Sequence, residues 1–205
     1  MSLNNVDIAA AKAELRKSIR AARRELTEEQ RLTAAEAVKS RLTALFTELD
    51  LLPCNVLAYM PMRYELDILP AVELLKGRGV RIAFPLCIEN GGLRLFIPAE
   101  ENGFTVGAYG IMEPDTRTAE EIFPSDLTAV LLPAVGFDAS FARLGQGGGY
   151  YDRLLARTRC FTVAVGFDCQ LVESVPTEPT DMRVDAIVTP GRTLINRPLR
   201  KNEGD

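Results

Sequence analysis

NVLAYMPMRYELDILPAVELLKGRGVRIAFP, residues 55–85, is the stretch whose reading decides the fold. It opens on an apolar run at 55–60, which reads as a strand. Asp67 can then cap a helix running through Leu75, which Gly77 and Gly79 end. The next short apolar run, at 80–85, is a second strand. A strand–helix–strand unit of about 30 residues implies parallel strands joined by a right-handed crossover. Further along, residues 128–133 (TAVLLP) form a continuous apolar run, as a central strand covered on both faces requires. Segments 93–97, 161–167 and 184–188 read as further strands. Upstream, residues 6–25 read as a helix rich in alanine and straight-chain side chains. Thr27-Glu-Glu-Gln30 fits a capping box that opens a second helix to about Leu49. The fold class is α/β: one domain over residues 1–205, with a mostly parallel central sheet flanked by helices. The layering is Rossmann-like, three layers deep, and an N-terminal helical pair precedes it. Residues 1–5 and 198–205 read as loose tails.

Composition narrows the chemistry. The chain has 205 residues, 47% of them hydrophobic and 25% charged, which is typical of a soluble globular protein. A net charge of -4 argues against a dedicated nucleic-acid binder. No apolar run approaches the ~18 residues needed to span a membrane, and no signal-peptide pattern is present. Four cysteines are widely spaced with no C-x-x-C, which fits reduced thiols in a cytoplasmic protein. The chain contains no histidine. That removes Ser-His and Cys-His nucleophile pairs, His-ligated zinc and imidazole acid–base chemistry together. What remains is arginine, lysine, carboxylates, tyrosine, backbone amides and a hard metal, an inventory suited to phosphoryl transfer.

The segment Arg143-Leu-Gly-Gln-Gly-Gly-Gly-Tyr-Tyr-Asp-Arg153 is where that chemistry concentrates. Its four glycines can turn backbone N–H groups toward one point and admit an anion closely. A helix predicted from about Gly149 to Arg157 adds the partial charge of its N-terminus. Arg143 and Arg153 supply full charges, and Asp152 offers an oxygen ligand suited to Mg²⁺. Neither G-x-x-x-x-G-K-[ST] nor G-x-G-x-x-G fits, because both need glycine where Tyr150 stands. A plain strand-to-helix turn would use the same glycines, but not the flanking charges and paired tyrosines. In parallel sheets, ligands sit beyond the carboxyl ends of the strands, where this loop would lie.

Other residues add to the loop. Lys12, Arg16, Arg20 and Arg24 recur at i, i+4 spacing and form a basic stripe, which is either a solvated face or a polyanion contact. Met60, Met62, Tyr64 and Glu65 follow a strand end. There the carboxylate can accept from a flat heterocycle and the apolar side chains can cover its faces. Asp185 opens a buried strand and is the expected partner of Asp152 in a carboxylate pair for Mg²⁺.

Together these segments resemble the 5-formyltetrahydrofolate cyclo-ligase family, also called methenyltetrahydrofolate synthetase. The matches are Lys12-x-x-x-Arg16, Glu65-Leu-Asp67, Tyr109-Gly-Ile-Met-Glu-Pro114, Leu132-Pro-Ala-Val-Gly-Phe-Asp138, the loop from Arg143 to Arg153, and Asp181-Met-Arg-Val-Asp185. The resemblance runs from about residue 8 to 192. It implies ATP- and Mg²⁺-dependent closure of 5-formyltetrahydrofolate to 5,10-methenyltetrahydrofolate, releasing ADP and phosphate, after phosphorylation of the formyl oxygen. It gives Arg143 and Asp152 as catalytic residues, and Asp152 and Asp185 as metal ligands. It assigns ATP to Lys12, Arg16, Arg143, Leu144, Gly145, Gln146, Gly147, Gly148, Gly149, Tyr150 and Tyr151. It assigns the folate to Arg16, Met60, Glu65, Gln146, Gly147, Gly148, Gly149 and Tyr150. The expected partners are these small molecules alone, with no nucleic acid or membrane, and the chain is expected to act as a monomer.

The chain departs from the family pattern in two places. Phe141 stands where relatives usually have glycine, and a positive φ there would strain it by about 1–3 kcal/mol. Gln146 and Gly148 replace basic residues found in some relatives. Two other readings stay open: a non-catalytic paralogue that binds folate or nucleotide, and a phosphosugar or acyl-CoA enzyme on a similar sheet.

Overall fold

The computed structural model describes residues 5–51, 54–99, 103–107, 110–179 and 181–196. The expected tails fall outside these residues, except that Asn5 opens the first helix; Tyr109 also falls outside. The elements in chain order are α1 (Asn5–Glu25), α2 (Glu28–Glu48), β1 (Asn55–Leu57), α3 (Leu69–Lys76), β2 (Arg81–Ile88), β3 (Gly92–Ile97), β4 (Phe104–Val106), β5 (Met112–Pro114) and β6 (Glu120–Ile122). Then come β7 (Ala129–Pro133), β8 (Gly136–Asp138), β9 (Arg143–Leu144), α4 (Tyr150–Leu155), β10 (Phe161–Val165), β11 (Leu171–Val172), β12 (Ala186–Val188) and β13 (Thr193–Ile195).

Local chemistry sets the helix starts. Thr27 caps α2 with both halves of the expected box: its hydroxyl accepts from Gln30 N, and the Gln30 side chain accepts from Thr27 N. The Asp67 carboxylate accepts from Leu69 N at 2.9 Å, and Pro70 lies in the first turn of α3. At the far end, Gly79 takes φ 86 and lets Val80 N reach back to Leu75 O.

The main sheet has the order β13-β12-β10-β7-β1-β2-β3-β6. The five central strands β12, β10, β7, β1 and β2 are parallel, as the strand–helix–strand reading requires. At the margins the pairing turns antiparallel: β13 against β12, β3 against β2, and β6 against β3. Because successive side chains of a strand point to opposite faces, each apolar run serves two cores. Val56, Leu131 and Val163 pack with Val38, Leu42 and Phe46 of α2 and Val72 and Leu75 of α3. Leu57, Leu132 and Ala164 pack on the other face with Leu154 and Leu155 of α4. This is the three-layer arrangement. The two N-terminal helices serve different surfaces within it. Whereas α2 covers the sheet, α1 places Ile19 against Val135, Ala142, Leu144 and Val175 around the small β11-β8-β9 sheet. No helix among the described residues is long and apolar enough to cross a membrane.

From β1 the chain steps one way to β2, and it later places β7, β10 and β12 on the other side. The order therefore reverses between β1 and β7, and their carboxyl ends diverge there into a crevice.

The β8–β9 hairpin feeds that crevice. Phe141 N donates to Asp138 O at 2.9 Å, and Phe141 takes φ 67, so the turn uses the left-handed conformation that glycine favours. Phenylalanine bears about 1–2 kcal/mol of strain there. In return its ring packs against the second core, and its carbonyl accepts from Val184 N. Phe141→Gly is therefore expected to be more stable than Phe141→Ala by about 1 kcal/mol, since both lose the ring and only alanine keeps the strain. Denaturant unfolding of the two variants checks this, and the reverse order would show that φ carries no strain.

Candidate active site

At the β1–β7 crevice lies a cavity of about 430 Å³. After β1 the chain contributes Met60, Met62 and Glu65; β2 adds Phe84 and Cys87; β7 ends in Pro133 at the floor. The opposite wall is the glycine loop from Arg143 to Asp152. The loop and the Met60–Glu65 segment, far apart in sequence, thus bound one space.

Gly147 and Gly149 take φ 105 and φ 68, which an L side chain rarely adopts. They fold the loop back so that α4 starts at Tyr150. That helix spans six residues, shorter than expected, so backbone amides and arginine side chains carry more of the positive potential than a helix terminus does. Arg153 differs from expectation too. Its guanidinium donates to Gly91 O at 2.9 and 2.7 Å and to Gly148 O at 2.7 Å, so it braces the loop from outside. Leu144 is buried with Ile19 and contributes only backbone to the loop. Tyr151 lines the cavity, where burial, and then the nearby Glu65 charge, pushes its phenol pKa well up. Burial, and then Glu113, likewise raises the Cys87 thiol. Both side chains form part of the cavity wall.

Arg143 is the cation inside the cavity. Its side chain is 5% exposed, and it donates to Asp152 Oδ1 at 2.7 Å. The basic stripe of α1 lies along the outer edge of the loop. Arg16 Nε donates to Gly145 O at 2.9 Å, and Arg20 Nη2 donates to Gln146 Oε1 at 2.6 Å. Gln146 Nε2 in turn donates to Glu65 Oε1 at 3.2 Å, and Glu65 Oε2 accepts from Met62 N at 3.2 Å. This relay ties α1, the loop and the segment after β1 into one unit. Arg24 continues the stripe to the Tyr64 ring, 5.8 Å from its centroid, where Arg31 and Arg63 also converge. Burial, and then the charge of Arg20, lowers the Arg16 pKa against the opposing pull of Asp181.

Lys12 meets two carboxylates, Glu178 at 2.7 Å and Asp181 at 2.6 Å. Burial alone would lower its pKa, but the bonds to Asp181 and Glu178 outweigh it and raise the pKa overall. The expected pairing of Asp152 with Asp185 is not formed. Asp185 Oδ2 accepts from Thr162 N at 2.9 Å and Thr162 Oγ1 at 2.8 Å. Thr162 pairs with Val130 near the amino ends of β10 and β7, three rungs before the Val165–Pro133 pair. That places Asp185 roughly 10 Å below the crevice floor. Asp181, four residues earlier in the same motif, is the carboxylate that reaches the loop side. The signal was available in the sequence: a residue opening a parallel strand lies at the end away from ligands.

Among the described residues no group of three or more acidic or thiol side chains is placed to hold a metal by itself. Single carboxylates beside cations, as at Asp152 and Asp181, fit a Mg²⁺ held mainly by phosphate oxygens and water.

Comparison with known proteins places this geometry in a family. Residues 8–190 match the 5-formyltetrahydrofolate cyclo-ligase family. The 5-formyltetrahydrofolate cyclo-ligase of Escherichia coli strain K12 is 32% identical over 180 residues, covering 85% of this chain and 97% of its own. That of Mycolicibacterium smegmatis is 30% identical over 194 residues, covering 90% and 96%. The NMR structure of Aquifex aeolicus 5,10-methenyltetrahydrofolate synthetase superposes with a TM-score of 0.79 at 32% identity, over 94% of this chain and 97% of that one. A synthetase from Mycoplasma pneumoniae, at 22% identity and a TM-score of 0.72 over 87% and 98%, shares the fold. The chain belongs to the 5-formyltetrahydrofolate cyclo-ligase family.

Proposed function

We propose that the chain closes 5-formyltetrahydrofolate to 5,10-methenyltetrahydrofolate, using ATP and Mg²⁺ and releasing ADP and phosphate. One observation carries the reading: a single cavity has a glycine loop with a buried arginine on one wall and a carboxylate among methionines on another. A triphosphate needs the first wall, and a flat heterocycle with N–H donors needs the second.

In this reading Arg143 and the amides of Gly145, Gln146, Gly147, Gly148 and Gly149 face the phosphates, with Lys12 and Arg16 closing from α1. Glu65 accepts from the pterin, and Met60 and Tyr150 cover its faces. The formyl oxygen is a poor leaving group until it receives the γ-phosphoryl group. The neighbouring amine nitrogen then attacks the formyl carbon, loses its proton, and phosphate departs with the C–O electrons. Arg143 offsets charge on the moving phosphoryl group in a buried setting, where such a contact is strongest. Bound Mg²⁺ would neutralise phosphate charge; Asp152, which lines the cavity, would hold it, and Asp181 beside Lys12 is the second carboxylate on that side. The absence of histidine is no obstacle, because positioning and charge neutralisation carry this chemistry.

Mixing the protein with 5-formyltetrahydrofolate and Mg-ATP should develop the near-ultraviolet band of the methenyl product. No band at any enzyme concentration would sink the proposal. Lys12→Ala is expected to raise the KM for ATP by about tenfold, the worth of one charged contact, and to leave the KM for the folate unchanged. Initial rates with each substrate varied in turn check this.

A further inference from the structure

Three carboxylates line the cavity: Glu65, Glu113 and Asp152. Asp152 is held by Arg143, and Glu65 by Gln146 and Met62 N. The side chain of Glu113, on β5, makes no hydrogen bond or ion pair among the described residues, although the residue is half-buried. Its side chain lies across the β4–β5 hairpin above Gly107, where a Cβ would collide with the carboxylate. Glycine at 107 thus leaves the room that the Glu113 side chain occupies. Its charge acts on the Cys87 thiol, which faces the same space. Around it the wall is apolar, with Phe84, Leu93 and Ile111 nearby in the lining. A carboxylate in such a wall, with no donor among the described residues, is open to a ligand that brings one.

We propose that Glu113 is a second folate-binding carboxylate, which accepts a hydrogen bond from a ring N–H of the reduced pterin. The assignment rests on the cyclo-ligase reading of the cavity. A reduced pterin presents amino, amide and secondary-amine N–H groups around its edge, so it can satisfy Glu65 and Glu113 together. Phosphates present only acceptors and negative charge, and Glu113 repels them. The residue therefore sorts the two substrates: it favours the heterocycle on the hairpin side and leaves the phosphates to the glycine loop.

Calorimetry with 5-formyltetrahydrofolate in the absence of ATP tests this directly. Glu113→Ala should weaken folate binding by about tenfold or more, as expected for losing a hydrogen bond to a charged acceptor. Glu113→Gln keeps one acceptor oxygen in the same shape and should fall between alanine and wild type. The KM for ATP should stay within about twofold in both variants, a split that general loosening of the hairpin would not give. Wild-type folate affinity in both variants, or equal weakening toward both substrates, would overturn the assignment. Wild-type protein that binds no folate would instead bring down the cyclo-ligase reading itself, and this assignment with it.

Discussion

Asp152→Ala is expected to lower turnover by on the order of 10²–10³-fold with the fold retained, at some cost in stability because the buried Arg143 loses its partner. The side chain is 48% exposed, so its loss opens no core cavity. The effect on chemistry has two sources. Asp152 is the carboxylate that fixes the Arg143 guanidinium, whose other contact is a 3.5 Å approach to Pro133 O. It also lines the cavity, and in the proposed reaction it would hold Mg²⁺ against the phosphates. Asp152→Asn separates the two roles, because the amide oxygen can still accept from Arg143 but carries no charge. In the present reading the asparagine variant recovers little. Measuring kcat with both substrates saturating decides the matter, and an alanine variant within about threefold of wild type would remove Asp152 from the site.

The second large effect is on stability, and it falls outside the cavity. Asp138 is 4% exposed and accepts four hydrogen bonds. Ser140 N and Oγ at 2.8 and 2.6 Å and Ala142 N at 3.3 Å close the hairpin turn around Phe141. Val175 N, at 2.7 Å, ties the turn to the segment that leads to Glu178 and Asp181. Asp138→Ala leaves these donors without a partner and is expected to cost about 3 kcal/mol. Burial works to raise the Asp138 pKa, but the bonds from Ser140, Val175 and Ala142 outweigh it and lower the pKa overall. A carboxyl whose folded pKa lies below its unfolded value stabilises fully above the unfolded value, near pH 4. That contribution fades as pH falls through the lower, folded value. The wild type should therefore lose stability below about pH 4 more steeply than Asp138→Asn. Denaturant midpoints of the two proteins between pH 2 and about pH 6 give the comparison, and parallel curves would contradict it.

Much of this was legible in the sequence because the informative signals are local. Gly77 and Gly79, the Thr27 box and the two-faced run at 129–133 each act through neighbouring residues, and each element formed where read. Strand ends were less legible. The apolar run at 55–60 continues past Leu57 into the cavity wall, so Tyr59 and Met60 look like strand but line the site. Short antiparallel pieces such as β4, β5 and β8 carry too few residues to show a period, yet they deliver Glu113 and Asp138. The misplacement of Asp185 has a different origin. Asp181 and Asp185 sit in one five-residue motif, and only the path of the chain decides which reaches Lys12 and which is held by Thr162. Likewise, the role of Arg153 depends on Gly91 and Gly148 lying beside it, which no spacing in the chain reveals.

In the proposed reaction the cavity brings a formyl oxygen to the γ-phosphoryl group of ATP. Turnover of 5-formyltetrahydrofolate carrying oxygen-18 in the formyl group tests it most directly, with the released phosphate analysed by mass. One labelled oxygen is expected in the phosphate for each methenyl product formed, with ADP in equal amount. Unlabelled phosphate, with the heavy oxygen recovered in water, would contradict it.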